Sequence, residues 1–220
     1  DKPLHIVFGK GQYLYDSSGN KFLDAVNNIQ HIGHSHPKVT EAIARQSKKL
    51  NVNTRYLDET IVKYAKDLTQ KFPKGLEVCY FTNSGSESND LALRIARTLS
   101  KSKETIVLDG AYHGHTSALI EVSPYKFNGE GGLGCPNFVN VIPRPDPYRG
   151  KYVGSGCFKG YIEELDSILR FLKRENKDLA SFIVEPIMGC GGQIIFPPGF
   201  LNAAFKLIKE NKGICIVDEV

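Results

Sequence analysis

The sequence lacks the motifs that identify several common classes of protein. Its five cysteines are widely spaced and include no C-x-x-C pair, so neither a zinc finger nor a redox dithiol is indicated, and a reducing compartment fits best. No G-x-x-x-x-G-K-[ST] motif accompanies the Walker-B-like "ICIVDE", so an ATPase would have no phosphate cradle. "GEGGLG" matches a dinucleotide fingerprint only formally, because no strand-like run precedes it and no helix-like run follows.

Long apolar runs and blocks of one charge are also missing. No run approaches the roughly 20 residues of a membrane span, and the first residues show no basic-then-apolar signal pattern, so we expect neither a membrane nor secretion. The formal charge of +4 is scattered along the chain, so no nucleic-acid partner is expected. The expected compartment is the cytoplasm or the mitochondrial matrix.

Metal ligands are too few in any one segment to indicate a metal site. The closely spaced histidines form two pairs, His34 with His36 and His113 with His115. Zinc uses three or four ligands, so loop histidines are the simpler interpretation and we expect no metal.

The first third of the 220 residues predicts a hairpin followed by two helices. "GQYLYDSSGNKFLDAV" has two alternating runs joined by a turn composition at 16–20. Pro37 suits the first turn of one amphipathic helix, and Asp58 suits the cap of a second.

From residue 78 onward, strand-like and helix-like runs alternate. The predicted strands are 78–82, 105–109, 139–142, 182–185 and 214–218, and the predicted helices are 86–100, 162–174 and 199–211. This alternation predicts an α/β fold in three layers, with a mostly parallel sheet between helices. Ligands of such sheets bind at the carboxyl ends of the strands, so the polar residues that follow the strands are the candidate site.

The first of these polar segments, "NSGSESN", lies where a strand becomes a helix. The first N–H groups of a helix and its dipole favour an anion, and Gly85 allows close approach of a phosphate. The alternative is that Ser84 or Ser86 merely caps the helix, with Glu87 in its first turn.

Four segments in chain order resemble the motifs of one family. "NSGSESNDLALR", "AYHGH", "VEPIMGCGG" and "IVDEV" are similar to the motifs of class III aminotransferases, which are pyridoxal-phosphate enzymes of fold type I. The resemblance implies that residues 1–50 contribute to the small domain and that 51–220 form the first, incomplete part of the large cofactor-binding domain. It also implies a small-molecule amine substrate and a homodimer.

The resemblance assigns a cofactor-binding role to seven residues: Gly85, Ser86, Tyr112, His113, Glu185, Asp218 and Val220. Gly85 and Ser86 would bind the cofactor phosphate. Tyr112 and Val220 would cover the two faces of the pyridine ring, and Asp218 would be the catalytic partner of its protonated nitrogen. By themselves, Tyr112 fits a core aromatic equally well, and Asp218 fits a cap or a salt-bridge partner.

The chain departs from the family pattern in two respects. Ser88 stands where "SGSEAN" has alanine. The lysine that forms the Schiff base lies, in the family, some tens of residues beyond the Asp-Glu motif, and this chain ends at Val220. We therefore expect the N-terminal part of a longer enzyme, inactive by itself.

Longer stretches resemble the branch of ethanolamine-phosphate and phosphohydroxylysine phospho-lyases. They are "VCYFTNSGSESNDLALRIAR", "AYHGHTSALIEVSPYKF", "PDPYRGKY" and "CGGQII", and Cys190 replaces a glutamate gate of ornithine- and aminobutyrate-type transaminases. This implies elimination of phosphate from a phosphorylated amino alcohol such as ethanolamine phosphate, giving an aldehyde, ammonia and phosphate. Arg149 and Lys151 of "YRGKY" are the hypothetical ligands of that phosphate. An alanine–glyoxylate or ω-amino-acid transaminase and a non-catalytic fragment are the alternatives.

Overall fold

The computed structural model describes residues 3–26 and 31–220 and separates into two compact units, Asp1–Val78 and Cys79–Val220. The division at residue 50 that the family resemblance implied stays a prediction. The two units are described one at a time.

The N-terminal unit contains a three-stranded antiparallel sheet in the order β1-β2-β3, formed by β1 (Ile6–Lys10), β2 (Tyr13–Asp16) and β3 (Lys21–Leu23). The predicted hairpin is β2–β3, and β1 was not predicted. One carboxylate oxygen of Asp16 accepts the backbone N–H groups of Ser18 at 2.9 Å and Asn20 at 2.8 Å, which holds the turn. These side-chain to backbone bonds explain why the Asp-Ser-Ser-Gly-Asn turn specifies a hairpin here.

Two amphipathic helices follow, α1 (Pro37–Lys49) and α2 (Glu59–Thr69), as predicted. Pro37 lies in the first turn of α1, where its missing N–H costs nothing. Asp58 caps α2 by accepting the N–H of Thr60 at 2.7 Å. Neither helix contains a buried residue.

The C-terminal unit is a parallel sheet with helices on both faces. Its elements are α3 (Gly85–Ser100), β4 (Glu104–Leu108), α4 (Ser117–Ile120), α5 (Pro124–Phe127), β5 (Val139–Ile142), α6 (Phe158–Arg174), β6 (Leu179–Val184), β7 (Ile187–Met188), β8 (Ile194–Ile195), α7 (Phe200–Glu210) and β9 (Ile214–Val217). The sheet order is β5-β4-β6-β9, and all three pairings are parallel. The predicted α/β class and its parallel sheet are confirmed.

Alternate residues of the central strands enter two separate cores. Phe182 packs in one core with residues of α6 and α7, whereas Ile183 packs in the other with residues of α3. This alternation is the period-two geometry of a strand, and it explains why both strand faces are apolar. The helices on either side complete the three predicted layers.

The predicted strand at 78–82 is wrong for this structure. That segment is irregular, and the sheet order does not include it. Its β-prone side chains are exposed, with Val78 at 76% and Tyr80 at 70%. A strand requires a hydrogen-bonded ladder with a neighbour, which local propensity does not supply.

Candidate cofactor site

The start of α3 combines a capped first turn with free backbone N–H groups, and its role in binding a phosphate stays a prediction. Ser84 is the cap, since its hydroxyl accepts the N–H of Glu87 at 3.1 Å, and Glu87 in turn accepts the N–H of Asn83 at 2.8 Å. The bonds from Asn83 lower the pKa of Glu87. The capping alternative therefore holds for Ser84. The N–H groups of Gly85 and Ser86 have no helical carbonyl four residues before them, so they are available to an anion.

Ser86 is not a cap, because its hydroxyl faces the loop that follows β4. The Ser86 Oγ accepts the N–H of His115 at 3.3 Å and lies 3.4 Å from the Nδ1 of the same residue. Asn89 Nδ2 donates to the His113 carbonyl at 3.0 Å, and Thr116 donates to Asp90 at 2.8 Å. The first turns of α3 thus hold the 113–116 loop at three points.

Two glycines permit this close packing. A Cβ at Gly114, whose φ is +131°, would lie 2.6 Å from Ser86 Oγ. A Cβ at Gly85 would lie 2.5 Å from a methyl carbon of Val220. Val220 therefore lies against the first residue of α3, and its predicted place over a pyridine ring stays a prediction.

Asp218 and His113 form a buried pair at the ends of two parallel strands. Asp218 Oδ2 lies 2.9 Å from His113 Nδ1, and the two side chains are 5% and 0% exposed. The backbone N–H of His113 donates to Ser123 Oγ at 2.9 Å. The second ring nitrogen of His113 is buried and has no hydrogen-bond partner in the part of the chain that the structure describes. A buried carboxylate fixed on one side by a histidine is suited to hold a cationic nitrogen on the other.

Tyr112 and Glu185 are linked through the backbone. Glu185 Oε2 accepts the N–H of Tyr112 at 3.2 Å, and its Oε1 accepts the N–H of Gly189 at 3.0 Å. The ring of Tyr112 is half-buried and meets Tyr125 edge to face, with centroids 6.0 Å apart. The Tyr112 side chain follows β4 and Asp218 follows β9, so both lie at the carboxyl edge of the sheet, where the α/β rule predicts a ligand.

The two predicted phosphate ligands occupy different surroundings. Lys151 is paired with Glu164 of α6, whereas Arg149 lines a cavity of about 350 Å³ together with Arg144, Asp146, Gly191 and Ile194. The backbone N–H groups of Arg149 and Tyr148 donate to Asp146 and lower its pKa. One ionised carboxylate therefore accompanies the two guanidinium groups of this cavity.

Several residues of the site could not be predicted from motifs. Asn89, Asp90, Ser123 and Arg144 hold the loops, but each contacts a residue at least ten positions away in the chain. Asn89, Asp90 and Ser123 lie within stretches that resemble the family, whereas Arg144 lies outside them, and nothing in those stretches indicated which loop each residue binds.

These residues fit a ligand that combines a phosphate with a basic aromatic nitrogen. Helix N–H groups and Ser86 suit the phosphate, Asp218 suits the nitrogen, and Tyr112 offers an aromatic face at the same sheet edge. Pyridoxal phosphate has this combination of groups.

Comparison with known proteins identifies the family. The aminotransferase class-III family model matches residues 1–220. An alanine–glyoxylate aminotransferase 2-like protein of Drosophila melanogaster is 44% identical over 223 residues, covering 99% of this chain and 45% of that protein. Ethanolamine-phosphate phospho-lyase homolog 1 of Caenorhabditis elegans is 38% identical over 231 residues, covering 100% of this chain and 49% of that protein. A phospholyase from Arthrobacter, solved in complex with phosphoethanolamine, has a TM-score of 0.87 at 31% identity and covers 98% of this chain and 51% of that one.

The chain therefore belongs to the class III aminotransferase family. It spans about half the length of the curated relatives that it matches. The predicted fold type I and the predicted cofactor of the family, pyridoxal phosphate, are confirmed. Within the described residues, no helix is both long and apolar enough to cross a membrane.

Proposed function

We propose that the complete protein is a phospho-lyase that removes phosphate from a small phosphorylated amino alcohol, such as ethanolamine phosphate. Water is the co-reactant, since it hydrolyses the enamine left by elimination, and the products are an aldehyde, ammonia and inorganic phosphate. The relatives with phospho-lyase names, one of them solved with phosphoethanolamine, support this substrate class. The complete protein is a homodimer in this proposal, and its compartment is the cytoplasm or the mitochondrial matrix.

The cofactor-binding residues have separate tasks in this proposal. The N–H groups of Gly85 and Ser86 and the Ser86 hydroxyl hold the cofactor phosphate at the start of α3. Asp218, held by His113, keeps the proton on the ring nitrogen. Tyr112 stacks on the ring, Glu185 sets the backbone that carries Tyr112, and Val220 covers the opposite face. When bound, pyridoxal phosphate supplies an electron sink for the carbon next to the substrate nitrogen.

The observation that carries the phospho-lyase proposal is the side chain at position 190. Cys190 is exposed in the 189–193 loop, where ornithine- and aminobutyrate-type transaminases have a glutamate gate. Gly191 of the same loop lines the cavity that contains Arg149. A phosphate monoester carries between about 1.5 and 2 negative charges at neutral pH, so a neutral side chain at 190 and a nearby guanidinium both favour it over a gate carboxylate.

A transaminase is the second candidate. The 44% identical Drosophila melanogaster relative carries an alanine–glyoxylate aminotransferase name, and that identity exceeds the 38% of the phospho-lyase homolog. The two reactions share the binding of an amine and removal of a proton from the carbon beside it, so the residues assigned above serve either one.

The test is a phosphate-release assay on the natural full-length protein purified with its cofactor. We expect inorganic phosphate and ammonia from phosphoethanolamine in equal amounts, with no keto acid present. A protein that turns over amines only when pyruvate or glyoxylate is added, and that releases no phosphate, is a transaminase. A protein with neither activity and no bound cofactor would support the non-catalytic interpretation instead.

A further inference from the structure

The 189–193 loop is held on either side of Cys190 by the side chains of Glu185 and Arg144. Glu185 Oε1 accepts the N–H of Gly189 at 3.0 Å, and Arg144 Nη1 donates to the carbonyl oxygen of Gly191 at 2.9 Å. Cys190 lies between these two anchors. The loop is thereby fixed on either side of the residue at which the proposed function distinguishes a phospho-lyase from a gated transaminase.

The same two side chains also hold the segment that follows β4. Glu185 Oε2 accepts the N–H of Tyr112 at 3.2 Å, and Arg144 Nη2 lies 3.1 Å from Asp109 Oδ2. Each side chain therefore joins the 109–112 segment to the 189–193 loop. The two segments also lie close together at Gly110. A Cβ at this residue would lie 3.2 Å from Arg144 Nη1 and 3.6 Å from the Cα of Gly191.

Residue chemistry explains why these two side chains can each make two contacts. An ionised carboxylate only accepts hydrogen bonds and has two oxygens, so Glu185 satisfies two backbone N–H groups together. The planar guanidinium of Arg144 presents several donors in a fixed fork, so it reaches a carboxylate and a carbonyl at the same time. Neither glutamine nor lysine reproduces both contacts with the same geometry.

We propose that Glu185 and Arg144 are positioning residues that join the 109–112 segment to the 189–193 loop, so that Tyr112 and Cys190 move as one unit. The part of this inference that places Tyr112 on the cofactor and Cys190 beside the substrate rests on the proposed function. The joining of the two segments rests on the four contacts alone. A shift of one segment is then transmitted to the other, which couples cofactor stacking to the shape of the substrate side of the site.

The test compares Glu185→Gln and Arg144→Gln with matched controls in the natural full-length holoenzyme. Glu210→Gln and Arg170→Gln remove the same charges from exposed helix positions. Within the described residues, the only ion pair of each is with a neighbouring helical turn. Hydrogen exchange is measured by mass spectrometry on peptides covering 109–116 and 186–193, and visible circular dichroism reports the asymmetry around the bound cofactor. All measurements are made without substrate.

We expect either site substitution to speed exchange in both peptides by about tenfold or more. Glu185 accepts a backbone N–H group in each segment, and Arg144 restrains the same two segments through a side chain in one and a carbonyl oxygen in the other. The cofactor circular dichroism should change in both variants, and the thermal midpoint should stay at that of the controls. A role in overall stability alone would lower the thermal midpoint and leave the cofactor signal of the folded protein unchanged. The double variant should show less than the sum of the two single effects, since each single change already releases the same loop.

Exchange that rises only in the peptide nearest the substitution would overturn the coupling, as would site variants that behave like the controls. The result does not depend on that of the phosphate-release assay, because hydrogen exchange and circular dichroism are measured without substrate. If the protein proves to be a transaminase while both peptides respond to either variant, the proposed function fails and the positioning role stands.

Discussion

Two regions of the C-terminal unit were predicted from the sequence to bind phosphate, and the contacts of their side chains differ in the structure. At the start of α3, Ser86 packs against the 113–116 loop, and three hydrogen-bonded contacts hold that loop. In the 146–152 segment, Lys151 pairs with Glu164 while Arg149 lines a cavity with Arg144. The first region is held together by these contacts, whereas the two cations of the second lie in separate surroundings.

This difference indicates under which condition residues adjacent in sequence bind the same ligand. A helix start aims successive N–H groups in one direction, so Gly85 and Ser86 share a ligand because of backbone geometry. An irregular segment imposes no such direction, so the side chain of Lys151 pairs with Glu164 while that of Arg149 lines the cavity.

Asp218→Asn should have the largest effect, because it replaces the buried carboxylate of the site with an amide. We expect kcat/KM of the full-length enzyme to fall by about a hundredfold or more, since the ring nitrogen loses a charged partner in a buried setting. Steady-state kinetics checks this, with Asp178→Asn as the exposed control at the other end of the sheet. A loss below about threefold, with the cofactor still bound, would remove Asp218 from the catalytic role.

Gly114→Ala should disturb the packing of the 113–116 loop against α3 and thereby weaken cofactor binding. The new Cβ would lie 2.6 Å from Ser86 Oγ at a φ of +131°, so the 113–116 loop has to move away from α3. We expect the apparent dissociation constant for pyridoxal phosphate to rise about tenfold or more. Gly154→Ala is a matched control, because its φ of +81° is also strained but its Cβ would meet nothing within 4 Å. Equal cofactor affinity in the two variants would contradict the proposed phosphate site at the start of α3.

Arg149→Gln and Lys151→Gln compare the two cations of the second region directly. We expect the KM for phosphoethanolamine to rise about tenfold in Arg149→Gln, because a charge-assisted contact to the phosphate is lost. Lys151→Gln should stay within about twofold, since its ammonium is already paired with Glu164. Kinetics at constant ionic strength measures both values. A larger rise in the lysine variant would reverse the assignment.

The pair between Lys151 and Glu164 should give the smallest effect, and one that depends on pH. The hydrogen bond from Lys151 lowers the pKa of Glu164, and the same contact raises the pKa of Lys151. The stability that wild type gains over Lys151→Gln is therefore present at neutral pH, and it is lost as the pH falls through the lowered pKa of Glu164. Because 54% of the lysine side chain is exposed, solvent screens the pair and the gain is small.

Urea denaturation of wild type and Lys151→Gln at neutral and acidic pH measures this difference. Two unfolding midpoints that converge in acid would agree with the prediction. A gap that widens as Glu164 becomes protonated would show that Lys151 acts through something other than this pair.

Much of the fold was predictable because its signals are local. Apolar spacing predicted α1, α2, α3, α6 and α7, and the alternation of strands with helices predicted the parallel sheet. The 78–82 segment shows the limit, since Val78 and Tyr80 are β-prone but no ladder with another described strand includes them. The candidate site was predictable where a motif contained its own backbone geometry, as at Gly85 and Ser86.

The amino-acid sequence was sufficient for the family, for the order of five helices and of the four strands of the parallel sheet, and for the edge of that sheet at which the candidate site lies. These follow from side-chain periodicity, helix-start chemistry and four motifs within continuous stretches of chain. The partners of Asp218, Glu185 and Arg144 came only from the folded arrangement. Their partners His113, Tyr112, Asp109 and Gly191 lie from 35 positions away, for Arg144 and Asp109, to 105 positions away, for Asp218 and His113. Contacts over such separations depend on how parallel strands bring their carboxyl ends together, which is a property of the packed sheet and of no single segment.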